Sequence, residues 1–209
     1  MDEISKDEFR VKQIDVKAKE AGRGRLVSTY RPVEIMFAAT GKEPTDLRGK
    51  EILNLGAGRT HWGFELTSKY KVVAKKFENF DISYAEQSGP RRLAGKIFMA
   101  ESIGDIKNEL PYRDNSFDVL WCSYAPTNWQ EFVRITKPGG EIFVLGGNYD
   151  EEFTERLSHQ LGIPVTCQKI DERKIDKWAS LAGRHRNAVS SLLGKNVLVV
   201  KKPKEEIRE

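Results

Sequence analysis

From Glu51 onward, short apolar runs alternate with longer stretches whose apolar residues recur every three or four positions. "EILNL", "FENFDIS", "KIFMAES", "FDVLWCSY", "EIFVLGG", "VTCQKI" and "NVLVVKK" read as strands of the buried type. Between them, "RTHWGFELTSKYKVV" reads as a helix despite Gly63, and "NWQEFVRIT" as a helix that stops at "KPGG". "DEEFTERLSHQLG" carries acids in its first turn and a glycine at its end, which marks a third helix. The basic stretch "DKWASLAGRHRNAVSSLLG" reads as one further helical region. Strands alternating with helices predict an α/β fold with a mostly parallel sheet covered on both faces.

The first fifty residues follow a different pattern. Asp7 to Glu20 is apolar in a loosely alternating or helical way, "AGRGRLVSTYRP" breaks regular structure, and "PVEIMFAATG" predicts a short helix ending at Gly41. The expected organisation is a helical N-terminal extension or lid over 1–50, a domain over 51–202 and a solvated tail over 203–209. Composition fits this picture. The chain of 209 residues is 39% hydrophobic and 32% charged, the size of one ordinary domain. No apolar run approaches the ~18 residues a membrane span needs. The charged N-terminus is not a secretory signal. The two cysteines, Cys122 and Cys167, lack any metal-ligand spacing, so a reduced, cytoplasmic protein without a metal site is expected. A net charge of +4 permits an anionic partner without demanding one.

Candidate chemistry begins at Gly56-Ala57-Gly58, where the first strand ends. Glycines at such a turn let backbone pass close to a ligand at the carboxyl edge of the sheet. Asp81 ends the second strand about 20 residues further on, a position suited to accepting hydrogen bonds from ribose hydroxyls. Its alternative role, shared with Ser83, is to cap the turn "DISYAEQ". A nicotinamide dinucleotide is disfavoured because the run Gly56-Ala57-Gly58-Arg59-Thr60-His61 lacks the third glycine of that fingerprint, although Arg59 keeps a diphosphate in view.

The downstream half narrows the choice. Leu110-Pro111-Tyr112 with Asn115-Ser116-Phe117-Asp118, followed by Arg134 and Lys137-Pro138-Gly139-Gly140, resembles the class I S-adenosylmethionine-dependent methyltransferases (type 11-like) over roughly Glu51 to Gly147. The resemblance implies a Rossmann-like doubly wound sheet of seven strands in the order 3-2-1-4-5-7-6, the last antiparallel. It implies S-adenosylmethionine as cofactor, lined by Asn54, Gly56, Ala57 and Gly58, with Asp81 and Ile82 at the ribose. Asp105, or Glu101 as its competitor, would receive the adenine amino group, and Ile106 would pack on the ring. The sequence departs from the family at Asn54, where an acid is usual, and at Thr60, where a glycine is usual. The stretch from Phe117 to Arg134 is also shorter than usual, and "GDIKNELP" is one residue longer between its acid and Leu110.

Methyl transfer needs alignment of a nucleophile and exclusion of water more than any fixed catalytic residue, and the sequence names none. Tyr124 or Asn128 after the fourth strand, and Tyr30 in the preamble, are the candidate acceptor contacts. The preamble is either a lid over the cleft or a cover for one face of the sheet. His61 is either a base or a surface residue at a helix start. "SYAP" is not the pattern used on exocyclic amines, which weakens base methylation. A small-molecule acceptor is therefore expected. Methylation of RNA, through the basic "GRGRLVSTYR" and "GRHRNAV", and a non-catalytic methyltransferase-like binding subunit are the alternatives. No feature speaks to oligomeric state.

Overall fold

The structure, a computed structural model, describes residues 31–57, 60, 62–81, 100–103, 105–147 and 149–204, with the side chains of Phe64, Asp81 and 100–103 excepted. Its centre is a seven-stranded sheet formed by β1 (Glu51–Leu55), β2 (Lys76–Asp81), β3 (Ala100–Ile103), β4 (Phe117–Ser123), β5 (Thr136–Leu145), β6 (Val165–Lys169) and β7 (Asn196–Lys201). The strands lie in the order β3-β2-β1-β4-β5-β7-β6. Pairing is parallel from β3 through β5, and β7 runs antiparallel to both β5 and β6. The chain thus has the mixed α/β, Rossmann-like architecture.

Both faces are apolar because successive side chains alternate across each strand. Ile52, Phe77, Val119, Trp121, Phe143 and Val199 point to one face. Leu53, Phe80, Leu120, Ile142, Val144 and Leu198 point to the other. The first face is covered by α1 (Glu34–Thr40), α2 (Trp62–Tyr70), α5 (Glu172–Leu181) and α6 (Arg186–Ser190). The second is covered by α3 (Trp129–Ile135) and α4 (Glu151–Leu161).

The helix expected before β1 is present. It ends where Gly41 adopts φ 70° and donates its N–H to the Phe37 carbonyl. It is also core: Phe37 packs 4.7 Å from the Trp178 ring and 5.4 Å from Tyr70. The buried carboxylate of Glu34 accepts hydrogen bonds from Lys69 and the Tyr70 hydroxyl, tying α1 to α2.

Two boundaries differ from expectation. The basic stretch after β6 is not one helix, because Gly183 at φ 57° interrupts it with a 3-10 turn between α5 and α6. The "KPGG" segment does not precede β5 but lies inside it, where the β4–β5 register shifts between Phe117 and Val119. The segment 7–20, like Tyr30 and the rest of 1–30, lies outside the described residues.

Candidate active site

Parallel strands end together, and register says which residues share that edge. Leu55 pairs with Phe80 and with Cys122, Asp81 with Ile103, and Ser123 with Leu145. Gly56, Asp81, Tyr124 and Gly146 therefore leave the sheet side by side, with Asp105 and Ile106 just beyond β3. Ligands of doubly wound sheets bind along this edge.

Gly56 turns the chain out of β1 at φ 66°. Its N–H donates to the Phe80 carbonyl at 2.9 Å, and that of Ala57 to the same oxygen at 3.4 Å. A Cβ at position 56 would lie 2.4 Å from the Cβ of Ala125 and 3.3 Å from the Ser123 carbonyl oxygen. What comes close to this glycine is thus the loop after β4, which explains the residue without any ligand. Gly58, Arg59, His61 and Ile82 lie outside the described residues.

The two departures in this loop meet each other. The Asn54 side chain, 1% exposed, donates through Nδ2 to Thr60 Oγ1 at 3.1 Å and to Asn79 Oδ1 at 3.0 Å. Asn54 thereby holds the glycine loop to β2. Its own Oδ1 is buried without a hydrogen-bond partner, as are Trp121 Nε1 and Glu65 Oε1. Asn54 and Trp121 are register neighbours on the first face. Buried polar atoms without partners are uncommon and mark places where polar chemistry is expected. Burial also raises the Glu65 carboxyl above its ordinary range, while Oε2 accepts the Val33 N–H at 2.8 Å.

Further along the edge, Asp105 is partly exposed and accepts the Lys107 N–H at 3.0 Å, whereas Ile106 is buried against the second face. Glu101 sits within β3, paired with Asn79, two residues short of the edge. Asn128 is half-buried. Its Oδ1 caps α3, and its Nδ2 donates to the carbonyls of Lys107 and Asn108, so both ends are committed to structure. Cys122 is buried in β4, and burial pushes its thiol up to about 12, which makes it inert. Tyr124, by contrast, is exposed at φ 52°. The Arg31 guanidinium lies 4.5 Å from its ring centroid and donates to Ser123 Oγ at 3.1 Å. Sequence pattern gave no sign of this convergence.

The residues that carry the family resemblance lie elsewhere. Arg134 donates to both oxygens of Glu131, to Asp114 and to the carbonyls of Leu110 and Tyr112. Glu131 also accepts the Leu110 N–H at 2.7 Å. At the amino edge of the sheet, Asp118 accepts the Glu51 N–H at 2.8 Å and a bond from Lys137 at 3.0 Å. These motifs staple the sheet together on the side away from the glycine loop. Among the described residues, no group of three or more histidines, cysteines and acids is placed to hold a metal ion.

The methyltransferase domain family matches residues 53–144, which run from within β1 into β5 and take in Gly56, Asp81, Asp105, Ile106 and Tyr124. Residues 53–144 thus resemble a methyltransferase domain. The chain is 23% identical over 137 residues to the biotin biosynthesis bifunctional protein BioHC of Cellvibrio japonicus, covering 63% of this chain and 27% of that one. It is 25% identical over 175 residues to the 23S rRNA (guanine(748)-N(1))-methyltransferase of Streptomyces fradiae, covering 81% and 58%. The match thus spans well under two thirds of either relative. Among solved structures it is similar to a chain from the complex between the Haloferax volcanii Trm112 methyltransferase activator and a methyltransferase. That likeness has a TM-score of 0.51, 18% identity and coverage of 97% of this chain and 100% of that one. It supports the fold. No helix among the described residues is long and apolar enough to cross a membrane.

Proposed function

We propose that this chain is a methyltransferase that uses S-adenosylmethionine and transfers its methyl group to a small molecule. The observation that carries the reading is the row of Gly56, Asp81 and Tyr124 at the carboxyl edge of a sheet whose β1–β5 segment matches the family. The residues present fit the cofactor. Gly56 and Ala57 form a tight turn, and Asp81 follows next to it on β2. When bound, the cofactor supplies an electrophilic methyl group on a sulfonium. The chain's own work is to orient and to exclude water. Asp81, with Ile82 beside it, would hold the ribose hydroxyls. Gly58 would complete the loop, Asp105 would take the adenine amino group in preference to the recessed Glu101, and Ile106 would back the ring.

Asn54 and Thr60 hydrogen-bond to each other, so the altered loop is a self-consistent substitution rather than a broken one. This favours an enzyme over a non-catalytic subunit. Methylation of RNA is the second reading, favoured by the rRNA methyltransferase relative and by the exposed Arg184 and Arg186. Arg31 is anchored at Ser123, which brings the join to residues 1–30 beside the acceptor end of β4 and supports a lid role for Tyr30 and its neighbours. The test is calorimetric titration of Asp81→Ala with S-adenosylmethionine. Loss of two charge-assisted hydrogen bonds should weaken binding by roughly 2–4 kcal/mol. Wild-type affinity in the variant contradicts the ribose assignment.

A further inference from the structure

Tyr124 is a non-glycine residue at φ 52°, uncommon for an aromatic side chain, and its N–H donates to the Leu145 carbonyl at 2.8 Å. Gly146, at φ 112°, makes room for it: a Cβ there would strike the tyrosine ring at 2.6 Å. The Arg31 guanidinium, already bonded to Ser123, lies 4.5 Å from the ring centroid and adds a third support. Strained backbone of this kind concentrates where function needs a side chain held in one place. The hydroxyl is fixed as well. Lys195, in the turn before β7, donates from Nζ to Tyr124 Oη at 2.5 Å. An ammonium has three donors and no acceptor, so the phenol oxygen is the acceptor in this pair. The phenol's own proton therefore points away from Lys195, and among the described residues it meets no acceptor. A cation on its oxygen polarises that O–H and makes it a better donor.

Tyr124 and Lys195 line a cavity of about 400 Å³ together with Gly146, Gly147, Tyr149, Asp150 and Asn196. This is the size of a small-ligand site. The Asp150 carboxylate caps α4 through the Phe153 N–H at 2.8 Å and keeps its charge on the same wall as Lys195. The wall thus carries one charge of each sign and selects neither an anion nor a cation. We infer that Tyr124 is the specificity-determining contact to the methyl acceptor, donating its hydroxyl proton to a carbonyl oxygen of an uncharged small molecule. Lys195 is the positioning residue that sets the direction of this bond. The inference rests on the methyltransferase reading above. One directional bond beside the nucleophile supplies the alignment that methyl transfer needs, and the ring gives the acceptor a flat apolar wall.

The full chain can be titrated with acetophenone, with α-methylstyrene (its isostere lacking the oxygen) and with benzylammonium, while the backbone amides of Tyr124, Gly146 and Gly147 are followed by NMR. Acetophenone is expected to shift these resonances saturably and to bind roughly threefold or more tightly than either of the others. Tyr124→Phe should abolish that preference. Lys195→Met releases the hydroxyl to turn and should lose most of it, and Lys195→Arg, whose side chain is again donor-only, should restore it. The same spectra report whether each variant is folded. α-Methylstyrene or benzylammonium matching acetophenone, or Tyr124→Phe retaining the preference, overturns the inference. Lys195→Met behaving as wild type, or Lys195→Arg as Lys195→Met, overturns the role of Lys195. S-adenosylmethionine titrated into the wild-type chain separates the two claims. A chain that prefers acetophenone but does not bind the cofactor overturns the methyltransferase reading alone. One that binds the cofactor and shows no preference for acetophenone overturns this inference alone.

Discussion

Replacing Gly56 by alanine puts two separable costs on one turn. A non-glycine residue at φ 66° costs about 1–2 kcal/mol from Cβ sterics alone. The added Cβ would also sit 2.4 Å from that of Ala125, so the loop after β4 must move, an overpacking cost of about 1–3 kcal/mol. Together they predict a loss of about 2–5 kcal/mol, large against the margin of an ordinary domain. Urea denaturation followed by tryptophan fluorescence measures it. The two parts separate in a double-mutant cycle with Ala125→Gly, which removes the colliding atom and leaves the backbone strain. The pair should be more stable than the sum of the single changes by the overpacking part, about 1–3 kcal/mol. Cofactor affinity should fall with Gly56→Ala, since the N–H groups of Gly56 and Ala57 lose their common seat on the Phe80 carbonyl. A Gly56→Ala protein as stable as wild type, or strict additivity with Ala125→Gly, refutes the account of this turn.

Asn54→Leu removes the link between Thr60 and β2 and leaves the buried Thr60 hydroxyl without that partner, at a cost of about 1–3 kcal/mol in urea stability. An unchanged midpoint would mean that the loop is held some other way. The Glu131 carboxyl is held below its ordinary 4.5, first by its hydrogen bonds from Arg134 and then by the Leu110 N–H. A lowered folded-state value gives stability that is present above pH 4.5 and lost as pH falls through the lowered value. Glu131→Gln should therefore be less stable than wild type at pH 7 and converge on it as pH drops below about 4.5. A stability gap that does not narrow on acidification contradicts the pairing.

The parts of this protein legible from the sequence are those set by local periodicity. β4, β5 and β7 each contain a run of four apolar residues that must be buried, and α4 announces itself through Asp150 and Gly162. What was less legible depends on what the chain meets in space. "KPGG" reads as a turn by composition, and the β4–β5 register skips it, from Phe117 opposite Thr136 to Val119 opposite Glu141, so it is a bulge within β5. Asn128 is expected as an acceptor contact from its place after β4, and its role as a helix cap shows only once α3 begins beside it. At the site, the glycine loop was visible, whereas the partnership of Asn54 and Thr60 was not, because it needs the loop to fold back over β1. The convergence on Tyr124 was the least legible. Its cations lie 92 residues before Ser123 and 71 residues after Tyr124, and only the register of the sheet brings them together.

The central claim is that the edge formed by Gly56 and Asp81 binds S-adenosylmethionine. It is tested most directly by parallel calorimetric titration of the full chain with S-adenosylmethionine, S-adenosylhomocysteine and NAD. The account predicts saturable binding of the first two at one site per chain and no heat from NAD beyond dilution. Binding of NAD in preference to both, or no binding of either sulfur compound, would contradict it.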